Sequence, residues 1–122
     1  MSLRVECLTI DARDPESAAA FWLELLGWER EGGDDDGVFI RPAGGAGAAA
    51  TGGILFFRVP ADEEKVVKNR LHLDLRPDDQ DAEVERALAL GARRVDIGQG
   101  DESWVVLADP DGNEFCILRP ER

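Results

Sequence analysis

Cationic charge, cysteine, histidine and long apolar runs are all scarce in this chain. Its 122 residues hold 14 Lys and Arg against 26 Asp and Glu, a formal net charge of −12 at pH 7. That balance argues against nucleic acid and anionic membrane surfaces as partners, and it favours solubility. No apolar run approaches the ~20 residues that a membrane-spanning helix needs. The opening Met-Ser-Leu-Arg-Val-Glu lacks the apolar stretch of a signal peptide. A cytoplasmic location is expected. The two cysteines, Cys7 and Cys116, lie far apart in sequence. Without an export signal they read as thiols rather than as a disulfide. The single histidine, His72, excludes any site that needs two imidazoles.

What is present is the composition of one globular domain, residues 1–122, with 43% apolar and 33% charged residues. Alternation predicts a first strand over Leu3 to Asp11, with Leu8 and Ile10 on one face and Val5, Cys7 and Thr9 on the other. Asp14-Pro15-Glu16 then opens a helix as N-cap, first-turn proline and dipole partner. Ala18, Phe21, Trp22, Leu25 and Leu26 follow at helical spacing, and Gly27 stops it. Trp28 to Glu31 and Val38 to Ile40 read as strands around the turn Asp34-Asp35-Asp36-Gly37. The Gly/Ala-rich residues 43–53 read as a mobile loop. Ile54 to Val59 is a fourth strand.

The plan then repeats. Leu71 to Arg76 is a strand with Leu71, Leu73 and Leu75 on one face and His72, Asp74 and Arg76 on the other. Asp79 or Asp81 starts a helix carrying Ala82, Val84, Ala87, Leu88 and Leu90, and Gly91 ends it. Arg93 to Ile97 is a strand. Trp104 to Leu118 is a hairpin about Asp109-Pro110-Asp111-Gly112-Asn113, where Pro presets φ and Gly and Asn suit positive φ. Two modules, about 1–60 and 70–122, therefore read βαβββ. The expected fold class is α+β, two tandem βαβββ modules with curled sheets around a shared cleft.

This layout resembles the vicinal oxygen chelate superfamily, the glyoxalase, bleomycin-resistance and dioxygenase type. The residues that carry the likeness are Asp14-Pro15 with Phe21-Trp22 and Leu26-Gly27-Trp28, then Leu71-His72-Leu73-Asp74-Leu75, Leu90-Gly91-Ala92 and Asp109-Pro110-Asp111-Gly112-Asn113. Val59-Pro60, Lys68-Asn69-Arg70 and Gly112-Asn113-Glu114-Phe115-Cys116 are similar to its glyoxalase-like branch. The resemblance spans essentially the whole chain.

Superfamily enzymes bind metal through the first and last strands of each module. The resemblance carries those positions onto Cys7, Phe56, His72 and Cys116. Alternation independently puts Cys7, His72 and Cys116 opposite their apolar neighbours, towards a cleft. A glyoxalase-type isomerase needs an octahedral metal and a carboxylate base. Cys116 stands where the closing Glu is expected, which argues against that reaction. An extradiol dioxygenase needs two His and one carboxylate for iron, and the chain has one His. A Cys7, His72, Cys116 set would suit Zn²⁺ with an open fourth position. The simpler reading has both cysteines as small packed residues and no cofactor.

Other cleft candidates are Asp74, which could orient His72, and Trp104 and Phe56 as aromatic lining. Glu114 is either a substitute carboxylate or an exposed turn residue. Lys68-Asn69-Arg70 is either an anion-binding strip or a solvated connector. The resulting expectation is a small-molecule-binding protein, with a homodimer implied and His72 as the best candidate for catalysis. The rival is a metal-dependent lyase, isomerase or dioxygenase of the superfamily.

Overall fold

In a computed structural model, residues 2–45 and 52–121 are described. They form two compact units, Met1–Glu63 and Glu64–Arg122. The Gly/Ala stretch expected to be mobile falls partly outside them, at residues 46–51. No helix among the described residues is long and apolar enough to cross a membrane.

The first unit runs β1 (Leu8–Ala12), α1 (Pro15–Leu26), β2 (Trp28–Gly33), β3 (Gly37–Pro42) and β4 (Ile54–Arg58). Its sheet order is β1-β4-β3-β2, with β1 parallel to β4 and the other pairs antiparallel. Asp14 caps α1 as its position suggests. Its Oδ1 accepts from the Ser17 N–H at 3.4 Å, and its Oδ2 accepts from the Ser17 hydroxyl at 2.8 Å. These bonds, side chain first, hold its carboxyl below the usual range. Gly27 closes the helix at φ 69, a left-handed position that costs other residues more. Ala18, Ala19, Phe21, Trp22 and Leu25 are buried, and the Phe21 and Trp22 rings meet edge to face at 5.4 Å.

Register decides which sheet face is core. Ile10 pairs with Phe56 and Phe56 with Val38, while Leu8 pairs with Ile54 and Ile54 with Ile40. Val38, Ile40, Ile54 and Phe56 are all essentially inaccessible. Burying each of these fully contributes about 1.5–3 kcal/mol. The opposite face carries Thr9, Leu55 and Phe39 in one row and Asp11, Phe57 and Gly37 in the next, and Phe57 is 45% exposed. Gly53, just before β4, must lack a side chain. A Cβ there would lie 2.6 Å from the Phe39 ring and 2.9 Å from the Ile40 carbonyl.

The second unit repeats the order with β5 (Asp74–Leu75), α2 (Gln80–Leu90), β6 (Arg93–Arg94), β7 (Val105–Ala108) and β8 (Glu114–Ile117). Its sheet is β5-β8-β7-β6, again with the outer pair β5 and β8 parallel. Asp79, not Asp81, is the α2 N-cap, accepting from the Ala82 N–H at 3.1 Å. Gln80 donates to the Ser103 and Ile117 carbonyls at 2.9 and 3.0 Å, pinning the helix start to the sheet. Leu107, Phe115 and Ile117 form one buried face, and Val106, Ala108 and Cys116 on the other are buried too. The α+β class and the duplicated βαβββ order therefore stand, as two four-stranded sheets with one α-helix each among the described residues.

Three strands are shorter than alternation suggests. β1 starts at Leu8 rather than Leu3, and Leu3 and Val5 are exposed. β5 is only Asp74–Leu75 rather than Leu71 to Arg76, and Leu71 is 80% exposed. β6 is Arg93–Arg94 rather than Arg93 to Ile97. Alternating residues permit a strand, but a ladder also needs a partner backbone at every position.

Candidate functional site

The closing hairpin is built on Asp109. This residue is 1% exposed, and its Oδ1 accepts from the N–H groups of Asp111 and Asn113, both at 2.9 Å. Gly112 donates its N–H to the Asp109 carbonyl at 2.9 Å and sits at φ 94. Only Gly112 takes the positive φ. Asn113 does not, contrary to expectation, and its N–H donates to the Asp109 carboxylate. The turn delivers Glu114 and Cys116 onto one face of β8, with Ala108 opposite Glu114 and Val106 opposite Cys116.

Cys116 meets Asp74 directly across the parallel β5–β8 ladder. The Cys116 N–H donates to the Leu73 carbonyl at 2.9 Å and the Leu118 N–H to the Leu75 carbonyl at 2.8 Å, which locks that register. His72 precedes Asp74 by two residues, and its Nε2 lies 3.1 Å from the Asp74 Oδ1. The ligand-capable atoms of His72, Asp74 and Cys116 all lie within 4.8 Å of one another. Cys116 is 5% exposed, while His72 and Asp74 are reached by solvent. Burial first, then the charge of Asp74 and the hydrogen bond to it, push the Cys116 thiol up to about 11. A neutral thiol donating to a carboxylate is the form this geometry favours.

Glu114 fills neither role foreseen for it. Its Oε2 accepts from Lys65 Nζ at 2.6 Å and its Oε1 from the Asn69 N–H at 2.7 Å. Asn69 also donates from its side chain to Asn113 Oδ1 at 3.1 Å. Burial raises the Glu114 pKa, but Lys65 and the Asn69 N–H outweigh it and the carboxyl ends below 4.5. A side-chain clamp, not a ladder, therefore ties Lys65 and Asn69 to the start of β8. Sequence reasoning gave no sign of it, since Lys65 and Glu114 sit 49 positions apart.

The expected site residues are thus distributed as follows. His72, Asp74 and Cys116 come together in the second unit. Trp104 sits in a bend just before β7, outside the ladder, and is 36% exposed. Cys7 belongs to the first unit, where its Sγ lies 3.8 Å from Thr9 Oγ1. Phe56 also belongs to the first unit, and its placement corrects the expectation. It shares the buried face of Ile10 and Val38, opposite the face of Thr9, because its ladder partners, not an aligned position, set its parity.

The superfamily's octahedral metal does not fit the donors present. That ion wants oxygen and nitrogen ligands, whereas the closing position, Cys116, offers sulfur. The set His72, Asp74 and Cys116 has one nitrogen, one carboxylate and one thiol.

Comparison with known proteins gives three further observations. A search of curated proteins gives no match. Among solved structures, a glyoxalase/bleomycin resistance protein/dioxygenase family enzyme from Burkholderia phytofirmans PsJN is 20% identical with a TM-score of 0.71, over 96% of this chain and 98% of that one. TnmS3, an antibiotic-binding protein from Streptomyces sp. CB03234, is 21% identical with a TM-score of 0.63, over 99% of each chain. The E126Q mutant of the fosfomycin resistance protein FosX from Listeria monocytogenes, complexed with Mn(II) and 1S,2S-dihydroxypropylphosphonic acid, is 18% identical with a TM-score of 0.67, over 97% of this chain and 90% of that one. The family model for the glyoxalase-like domain matches residues 7–118. With nearly the whole length matched and the duplicated βαβββ order in hand, the chain belongs to the glyoxalase-like domain family of the vicinal oxygen chelate superfamily.

Proposed function

We propose that this glyoxalase-like protein binds a small organic molecule on the β5–β8–β7 face that carries Asp74 and Cys116, with His72 beside it and Trp104 just before β7. It does so without the octahedral metal chemistry of its enzyme relatives. The observation that carries the reading is Cys116, a buried thiol hydrogen-bonded to Asp74, at the position where the resemblance calls for a metal-binding Glu. Val106 lies beside the thiol on this face, and Glu114, paired with Lys65, stands at the strand start. His72 and Asp74 supply one donor and one acceptor group at its rim, and Trp104 supplies a flat apolar surface with an N–H. A few placed polar groups on an apolar surface are what a drug-sized, partly aromatic ligand needs. That TnmS3 is an antibiotic-binding protein of the same fold supports the choice of ligand class. A cytoplasmic homodimer belongs to the same proposal, and sedimentation of the full chain tests the pairing.

The test uses chelator-treated protein titrated with a panel of aromatic antibiotics, read by tryptophan fluorescence and calorimetry. Saturable binding that weakens in Trp104→Ala and His72→Ala is expected. Turnover of fosfomycin or of a glyoxalase substrate that requires added Mn²⁺, with no ligand bound in its absence, would overturn the proposal.

A further inference from the structure

We infer that Glu114 is a positioning residue for His72: it anchors an arch, residues 69–74, that holds the imidazole against Asp74 and beside Cys116. The arch lies within the second unit, and its bearing on ligand binding rests on the proposal above.

The arch is tied to β8 at both ends. At one end Asp74 and Leu75 enter the parallel ladder opposite Cys116 and Ile117. At the other, the Asn69 N–H donates to Glu114 Oε1 at 2.7 Å, and the Asn69 side chain donates to Asn113 Oδ1 at 3.1 Å. Glu114 and Cys116 lie about 7 Å apart along their strand. The chain from Asn69 to Asp74 reaches about 17 Å when extended. The surplus is taken up by bends at Arg70 and Leu71, and His72 stands on the limb that returns to Asp74, its Nε2 3.1 Å from the Asp74 Oδ1. Glu114 and Cys116 share a face of β8, so the Asn69 end of the arch stands on the side to which the thiol points.

Apolar burial does not hold the arch. Val66, Val67 and Leu71 are 79, 73 and 80% exposed. What is buried is polar: the Lys65 and Glu114 side chains are 19 and 13% exposed and meet at 2.6 Å. The Lys65 stem lies along the closing turn, where a Cβ added to Gly112 would come within 3.4 Å of its Cγ. Both oxygens of the Glu114 carboxylate are engaged, Oε2 by Lys65 and Oε1 by the Asn69 N–H, in charge-assisted bonds. A shielded ion pair is costly to break from one side, because the remaining charge loses its partner. Glu114 thus supplies the order that packed side chains supply elsewhere. Its loss releases the arch at one end while the ladder keeps the other. His72 then leaves Asp74, and the face above Cys116 opens.

The experiment follows chemical modification of the full-length protein at one fixed pH. His72 is the only histidine, so diethyl pyrocarbonate reports it alone among imidazoles, read by mass spectrometry. Iodoacetamide reports Cys116 in a Cys7→Ala background. Glu114→Ala and Lys65→Ala should each raise both rates about fivefold or more through local opening. Glu114→Gln keeps an acceptor for the Asn69 N–H and should fall between them and the parent. Val84→Ala, a cavity beneath α2, should lower the melting temperature and leave both rates unchanged. Circular dichroism confirms folding, and Lys65→Ala, on the connector, carries the test if Glu114→Ala fails to fold. Parental rates in folded Lys65→Ala protein would overturn the inference. So would an equal rise in Val84→Ala, which marks general loosening rather than a released arch. Both rates are read without ligand, so an antibiotic panel that yields no binder counts against the binding proposal alone.

Discussion

Cys116 should be a sluggish thiol, and Asp74 should be part of the reason. Burial and the neighbouring carboxylate move it from 9.0 to about 11. At a pH of about 8 the thiolate fraction then falls roughly a hundredfold, from about one in ten to about one in a thousand. A more basic thiolate attacks faster, and a Brønsted slope of about 0.4–0.5 recovers nearly tenfold over two units. The net expectation is alkylation at least about tenfold slower than for an ordinary thiol, before any loss from restricted access. Asp74→Asn removes the charge but leaves the burial, which is the larger cause. The inflection should therefore move down from about 11 without reaching 9.0. The assay is iodoacetamide labelling of chelator-treated Cys7→Ala protein between about pH 7 and about pH 10.5, read by mass spectrometry, with circular dichroism at each pH. An inflection at or below that of a free thiol would refute the reasoning. So would an Asp74→Asn profile that superimposes on its parent.

The closing turn offers a second check. Asp109→Ala strands two N–H groups beside a buried position, and thermal unfolding should show a loss of about 2–4 kcal/mol. For Glu114, the folded pKa lies below 4.5, so its clamp contributes fully above that pH and is lost as pH falls through the depressed folded value. Amide exchange at Asn69 should accelerate in that acid window, and Glu114→Gln should flatten the dependence. Two glycines separate strain from collision. Gly27→Ala meets nothing within 4 Å and should cost only about 1 kcal/mol for its left-handed φ. Gly53→Ala strikes Phe39 and the Ile40 carbonyl and should lower the melting temperature by more.

Helices and turns were legible in the sequence because their signals are local. Asp14, Gly27, Asp79 and Gly91 act where their neighbours in sequence require them. The duplication was legible because each module repeats those signals in order. Strand ends and faces were less so. Alternation has a period but no anchor, so Phe56 could be assigned to a face only through its partners Ile10 and Val38. β5 was overestimated because alternation ran over 71–76, whereas only Asp74 and Leu75 find ladder partners, Cys116 and Ile117, far along the chain. The His72–Asp74–Cys116 grouping was half visible. The shared parity of His72 and Asp74 followed from strand period, whereas the pairing of Asp74 with Cys116 required the parallel ladder.

That ladder also orders events in time. It joins residues roughly forty positions apart, and closing so long a loop costs entropy before any hydrogen bond forms. On the ribosome, His72 and Asp74 emerge well before Cys116 does. The sulfur, the carboxylate and the imidazole can meet only when the second sheet has received its final strand. A chain truncated before that strand would retain two of the three groups and none of the arrangement.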